Sequence, residues 1–177
     1  MDERITKVKN RIRDIKDYPK VGIVFKDITP VIKDNECLRI SLDLLSEPFK
    51  GRGITTVLGM ESRGFIFGVA VAERLGAGFV PIRKPGKLPA ETIYEEYELE
   101  YGKDRLEMHR DALSSDDRVL IVDDLLATGG TANATIKLAK STGAEVIGAS
   151  FLIELEFLKG RDKLGKIEVH SIIKYEG

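Results

Sequence analysis

Residues 118–135, RVLIVDDLLATGGTANAT, decide how this chain is read. The short apolar run 119–122 predicts a buried strand, and it stops at two acids, Asp123 and Asp124. A loop of small residues follows, Ala127-Thr128-Gly129-Gly130-Thr131, and then an apolar helical pattern. A strand that turns through glycines into a helix presents free backbone N–H groups and a partial positive charge, the two requirements of a phosphate site. Gly129 and Gly130 let the backbone curl around an anion, and Thr128 and Thr131 add hydroxyl donors. Asp123 and Asp124 repel phosphate, but they can accept hydrogen bonds from two adjacent sugar hydroxyls. An acid before a helix is often a simple cap, and Gly-Gly after a strand is often a plain turn. Strand, acid pair and glycine loop together are far more specific than either part. The segment lacks both the Gly-Lys-Ser/Thr of a P-loop and the GxGxxG of a dinucleotide fold.

Working outward, strands and helices alternate. Thr55 to Leu58 and Phe79 to Ile82 read as short strands, with a helix from Arg63 to Leu75 between them. Gly64 and Gly68 would let that helix lie close to a sheet. Further strands are expected at 119–122, 146–153 and 169–173, with a helix at 131–141. This is the pattern of an α/β fold with a mostly parallel central sheet flanked by helices, whose ligands bind beyond the strand C-termini. Between 93 and 109 the period drops to two. Tyr97, Leu99 and Tyr101 alternate with Glu96, Glu98 and Glu100, and after Gly102-Lys103-Asp104 the apolar Leu106 and Met108 alternate with Arg105, Glu107 and His109. That predicts a hairpin with one wet face. Near the start, Ile5, Val8, Ile12 and Ile15 step by three and four, predicting one helix that Tyr18-Pro19 ends. Leu38, Leu42, Leu45 and Phe49 predict a second, closed by Gly51 and Gly53. Val24, Phe25 and Lys26 fall in irregular sequence between Pro19 and Pro30.

The chain has 177 residues, enough for one domain with its own core. Its 28 basic and 29 acidic residues leave a net charge of −1, which argues against general nucleic-acid binding and makes any basic cluster a local feature. Cys37 is the single cysteine, so no internal disulfide can form, and a reducing, cytoplasmic setting is expected. The N-terminal MDERITKVKNRIRDIK lacks a signal-peptide core, and no apolar run approaches a membrane span. His109 and His170 have no ligand-like companions, so a structural zinc site is not expected.

The DDLLATGGT wording resembles the 5-phosphoribosyl 1-pyrophosphate (PRPP) motif of the type I phosphoribosyltransferases, and specifically the branch that acts on adenine. GIVFKDITP at 22–30, GMESRGFIFG at 59–68, IRKPGKLP at 82–89, LEYG at 99–102 and LIELEFLKGRDKL at 152–164 extend that resemblance over almost the whole chain. It implies a single domain over 1–177, with a helix and base-binding hood at 1–34, a core at 35–177 and a flexible hairpin lid at about 84–104. It also implies transfer of the phosphoribosyl group to adenine, giving AMP and pyrophosphate, with Mg²⁺ held mainly by PRPP and no direct protein ligand. A homodimer, with no nucleic-acid or membrane partner, is implied as well.

The residue roles follow from the same resemblance. Asp123, Asp124, Arg63, Glu100 and Tyr101 would be catalytic, with Glu100 positioning the base and shuttling its proton. Residues 127–131 would hold the 5′-phosphate. Glu61, Ser62, Arg63, Arg83, Lys84 and Lys87 would bind pyrophosphate, in a loop whose Glu61–Ser62 peptide is cis in the family. Val24, Phe25, Lys26 and Leu125 would bind adenine, with Phe25 stacking on the ring. Each has an ordinary alternative: Ser62 as a helix cap, the basic cluster as a solvated face, Glu100 as one more wet glutamate, Phe25 as core. Transfer to another purine base and a non-catalytic PRPP sensor remain the alternative functions.

Overall fold

The computed structural model describes residues 2–99 and 102–177. The chain forms two compact units, Met1–Leu44 and Leu45–Gly177.

In the first unit, helix α1 (Glu3–Lys9) starts where the Asp2 carboxylate accepts a hydrogen bond from the Arg4 N–H at 2.8 Å, and it buries Val8. The expected single helix through Ile15 is corrected here. α1 ends at Lys9, and Arg13–Lys16 form strand β1, antiparallel to β2 (Val24–Asp27) with Ile15 opposite Phe25. Ion pairs Arg13–Asp27 (2.5 Å) and Lys26–Asp14 (2.8 Å) bridge the two strands. Only Ile15 of the apolar set falls within the four residues of β1, too short a run to show a period of its own, and the partner strand lies beyond any local window. The segment at 24–27 is thus a strand rather than irregular chain. Helices α2 (Thr29–Lys33) and α3 (Asn35–Ser46) follow, and a 3₁₀ turn (Glu47–Phe49) completes the helical stretch expected from Leu38 to Phe49.

The second unit is built on a five-stranded parallel sheet. Its strands are β3 (Thr56–Met60), β4 (Gly78–Ile82), β7 (Arg118–Leu126), β8 (Glu145–Leu155) and β9 (Glu168–Tyr175), in the order β4-β3-β7-β8-β9. Helix α4 (Arg63–Leu75) joins β3 to β4, and α5 (Gly130–Ser141) joins β7 to β8. The first connection runs one way across the sheet and the second runs the other. Right-handed crossovers therefore put α4 and α5 on opposite faces. The reversal opens a crevice between the C-terminal ends of β3 and β7, where a ligand is expected. All five residues of β3 are buried, as a strand covered on both faces requires. α4 does lie close to the sheet: a Cβ on Gly68 would stand 2.6 Å from the Phe79 ring.

The hairpin pairs β5 (Thr92–Glu98) with β6 (Lys103–His109), Tyr97 opposite Asp104. Lys103 and Asp104 belong to β6, not to the turn. The expected wet face holds along β5, where Tyr94, Glu96 and Glu98 are exposed, but it fails at Glu107, which is buried. Its backbone exchanges two hydrogen bonds with Arg83 (3.0 and 2.7 Å), and its carboxylate accepts from the Gly86 N–H (3.2 Å) and pairs with Arg105 (3.2 Å). Leu106, Met108, Ile93 and Tyr97 join the core that α5, Leu58, Met60 and Ile121 form. Among the described residues, no helix is long and apolar enough to cross a membrane.

Candidate active site

Strand β7 does not end at the acid pair, as expected, but runs on to Leu126, so Asp123 and Asp124 sit inside a strand. Alternation sends their side chains to opposite faces of the pleat. Asp123 meets the first turn of α4, where Gly64 leaves room: a Cβ there would stand 2.8 Å from Asp123 Oδ1. The same oxygen accepts a hydrogen bond from the Asp124 N–H at 2.9 Å. Asp124, 4% exposed, pairs with Arg63 Nε at 2.9 Å. Burial pushes both carboxyls above the ordinary aspartate range. The neighbouring Asp124 charge adds to the rise at Asp123, and Arg63 opposes it at Asp124.

Residues 127–131 curl at the end of β7 into the start of α5. Gly129 is in the left-handed region (φ 79°) and no side chain caps the helix, so the first-turn N–H groups are not taken up by a cap. A recess of about 90 Å³ lies within this loop, bordered by Asp123, Leu125 and residues 126–132. Its back wall was not anticipated. A Cβ on Gly129 would stand 2.3 Å from the Gly160 carbonyl oxygen, and one on Gly160 would stand 2.1 Å from that of Ala127. The 3₁₀ segment Gly160–Leu164 therefore supports the loop directly, and only the glycine within KGRDKL hints at it.

The loop after β3 carries a cis peptide between Glu61 and Ser62. The alternative of Ser62 as a cap is not what forms: its side chain makes no capping bond to α4. Glu61 gathers the basic cluster. Its carboxylate accepts from the Lys84 N–H and pairs with Arg83 (3.6 Å) and Lys87 (3.9 Å). Arg83 also lies over the Phe65 ring at 5.9 Å. Lys84 reaches the hairpin, donating to the Tyr97 hydroxyl at 2.7 Å and to Asp104, while Tyr97 donates to Asp104 at 3.0 Å. Burial works against the Lys84 charge, but Asp104 and Tyr97 hold its pKa above the usual lysine value. The Lys84 hydrogen bond draws Asp104 below the usual aspartate value. Tyr97, Asp104 and Glu107 carry no motif of their own. Only the hairpin register brings the first two together.

The crevice thus unites Arg63, Asp123, Asp124, the 127–131 loop, Glu61, Ser62, Arg83, Lys84 and Lys87 in the second unit. Leu125 lies on β7 beside the loop, half-buried. Val24, Phe25 and Lys26 lie on β2 of the first unit, where Tyr18 meets the Phe25 ring edge-on at 5.3 Å. Glu100 and Tyr101 lie outside the described residues. Among the described residues, no group of three His, Cys, Asp or Glu side chains could hold a metal ion.

A family model of the phosphoribosyl transferase domain matches residues 32–176. An adenine phosphoribosyltransferase of Clostridium perfringens is 58% identical over 169 residues, 96% of this chain and 98% of the relative. One from Methylococcus capsulatus is 56% identical over 169 residues, 96% of this chain and 99% of the relative. The crystal structure of adenine phosphoribosyltransferase from Rhodothermus marinus matches with a TM-score of 0.94 at 51% identity, covering 99% of this chain and 100% of that one. The Saccharomyces cerevisiae enzyme, complexed with an imino-altritol bisphosphate and adenine, matches at 0.92 with 38% identity, covering 97% and 99%.

Proposed function

This chain belongs to the phosphoribosyl transferase family, and on that premise we propose that it transfers the 5-phosphoribosyl group of PRPP to adenine, releasing AMP and pyrophosphate in purine salvage. The observation that carries this reading is the crevice at the ends of β3 and β7. There a glycine loop with uncapped helix N–H groups, an acid pair with Asp124 buried and a basic cluster border one crevice, which supports this reading. Adenine as acceptor rests on relatives of that name at 51–58% identity over nearly the full chain.

In the reaction, the bond from C1 of the ribose to pyrophosphate breaks, its electron pair leaving with the pyrophosphate. N9 of adenine forms the new bond to C1 and gives up its proton. The 127–131 loop holds the 5′-phosphate through first-turn N–H groups. Asp123 and Asp124 accept the ribose hydroxyls and place negative potential near the cationic C1 of the transition state. Arg63, Arg83, Lys84 and Lys87 receive the leaving pyrophosphate, with Glu61 and Ser62 shaping that loop. The resemblance assigns Glu100 and Tyr101 to the lid over the reacting centre, and Val24, Phe25, Lys26 and Leu125 to the base. Closure of the lid at 84–104 would exclude water and so suppress hydrolysis of PRPP.

Mg²⁺ fits the site through PRPP rather than through the protein. Arg63 and the Asp124 N–H already engage the acid pair, and Arg83 and Lys87 engage Glu61. Bound to the substrate, the ion supplies charge neutralisation at the leaving group. A cytoplasmic homodimer completes the reading. Ile66 and Val69, 42% and 53% exposed and one turn apart on α4, offer an apolar strip to a second copy. Hood 1–34 and core 35–177 would act as parts of one domain.

A nucleobase panel tests the proposal. The protein is incubated with PRPP, Mg²⁺ and one of adenine, hypoxanthine, guanine, xanthine or uracil, and nucleotide and pyrophosphate are quantified. AMP from adenine alone is the expected outcome. Turnover with a different base overturns the acceptor assignment. PRPP binding without turnover overturns the enzymatic reading.

A further inference from the structure

Beside the phosphate loop lies a cleft of about 670 Å³, bordered by Thr128, Gly130 and Thr131 on one side and Lys84 and Glu98 on the other. Lys163, from the C-terminal 3₁₀ segment, also lines it. We propose that Lys163 is a substrate-binding residue that contacts the 5′-phosphate of the phosphosugar. The proposal rests on the phosphoribosyl-transfer reading above.

Three observations carry it. Three other cations around the crevice are ion-paired: Arg63 with Asp124, Lys84 with Asp104 and Lys137 with Glu95. Lys163, by contrast, has no carboxylate within ion-pair distance among the described residues, so its ammonium is available to an anion. Its backbone is anchored. Neighbouring Arg161 pairs with buried Glu154 on β8 and donates to the Val169 carbonyl at 2.7 Å, and Leu164 is 2% exposed. The same segment touches the loop through Gly160, so the Lys163 backbone and the loop N–H groups are held in one frame.

Position selects the ligand group. Of the cations assigned to pyrophosphate, Arg83 and Lys87 converge on Glu61, whereas Lys163 borders Thr128 and Thr131 of the glycine loop. A mobile ammonium beside fixed backbone donors adds a point charge without constraining the phosphate orientation that the loop imposes.

The test is calorimetric titration of ribose 5-phosphate and, separately, inorganic pyrophosphate into wild type, Lys163→Gln and Lys163→Arg. Lys163→Gln weakens ribose 5-phosphate binding by about three- to tenfold, the range for a partly exposed charge-assisted contact. Lys163→Arg recovers most of that loss, and pyrophosphate affinity is unchanged. In kinetics, Lys163→Gln raises KM for PRPP and leaves KM for adenine alone. Equal ribose 5-phosphate affinity in wild type and Lys163→Gln overturns the assignment, as does an equal loss for both probes. A wild type that binds ribose 5-phosphate but makes no nucleotide refutes the transferase reading instead, and the binding comparison still decides the role of Lys163.

Discussion

Gly64, in the first turn of α4, and Asp123, in the middle of β7, approach so closely that a Cβ on the glycine would stand 2.8 Å from the aspartate Oδ1 and 3.2 Å from the Val122 carbonyl oxygen. The contact joins the two strand ends that define the crevice. Gly64→Ala gains helix propensity but forces the acid or the helix to move. The overpacking cost of about 1–3 kcal/mol should exceed the gain of up to about 1 kcal/mol. The expected result is a Tm lower by a few degrees together with a reduced kcat. An unchanged kcat would show that the helix yields rather than Asp123.

Burial of the acid pair also makes a pH prediction. Both carboxyls are raised, so the folded state holds protons that the unfolded chain has already released above the ordinary aspartate pKa. Stability therefore falls as pH rises from that value through the raised one. Asp123→Asn keeps an oxygen for the Asp124 N–H and removes the buried charge. It should raise Tm by about 2–4 °C near pH 8, as a gain of about 1 kcal/mol does in a chain of this size. The advantage should vanish near pH 4. Thermal melts across pH check this, and a gain that does not depend on pH would refute the buried-charge account.

The same acids should matter for rate. Asp124→Asn leaves Arg63 facing a neutral amide and removes the acceptor proposed for a ribose hydroxyl. Turnover should fall by more than about tenfold, the scale of losing one group that stabilises a transition state. Near-normal steady-state kinetics would remove Asp124 from the chemistry.

Gly160 offers a structural test of the phosphate loop. A Cβ there meets the Ala127 carbonyl oxygen at 2.1 Å, a backbone atom that cannot swing aside. Gly160→Ala should displace residues 127–129 and raise KM for PRPP at least about tenfold, or about 1.4 kcal/mol of binding. KM for adenine should change little. If both rise alike, the damage is general rather than local to the loop.

Finally, Lys84, Tyr97 and Asp104 tie the basic loop to the hairpin. Tyr97→Phe removes one donor and one acceptor from this cluster. Amide exchange in β5 and β6 should then quicken, because local opening depends on such contacts. Unchanged exchange across residues 92–98 and 103–109 would mean that core packing by Ile93, Leu106 and Met108 holds the hairpin by itself.

Much of this protein follows from local pattern. Buried strands interleaved with amphipathic helices specify an α/β sheet, and Gly129 with the acids before it marks the loop proposed to hold phosphate, because backbone curvature and helix-end donors depend on nearby residues alone. The α4 boundaries, Arg63 to Leu75, are legible for the same reason. Other features depend on partners far along the chain. β1 is a strand only because β2 pairs with it. Glu107 is buried only because the Arg83 backbone bonds to it. Gly160 meets the 127–131 loop, and Lys163 borders the cleft beside it, because Arg161 anchors their segment to β8 and β9. Periodicity reports which face a residue presents within its own element. Which surface that face meets, and so which charge is paired and which is left for a ligand, is settled by the packing of elements distant in sequence.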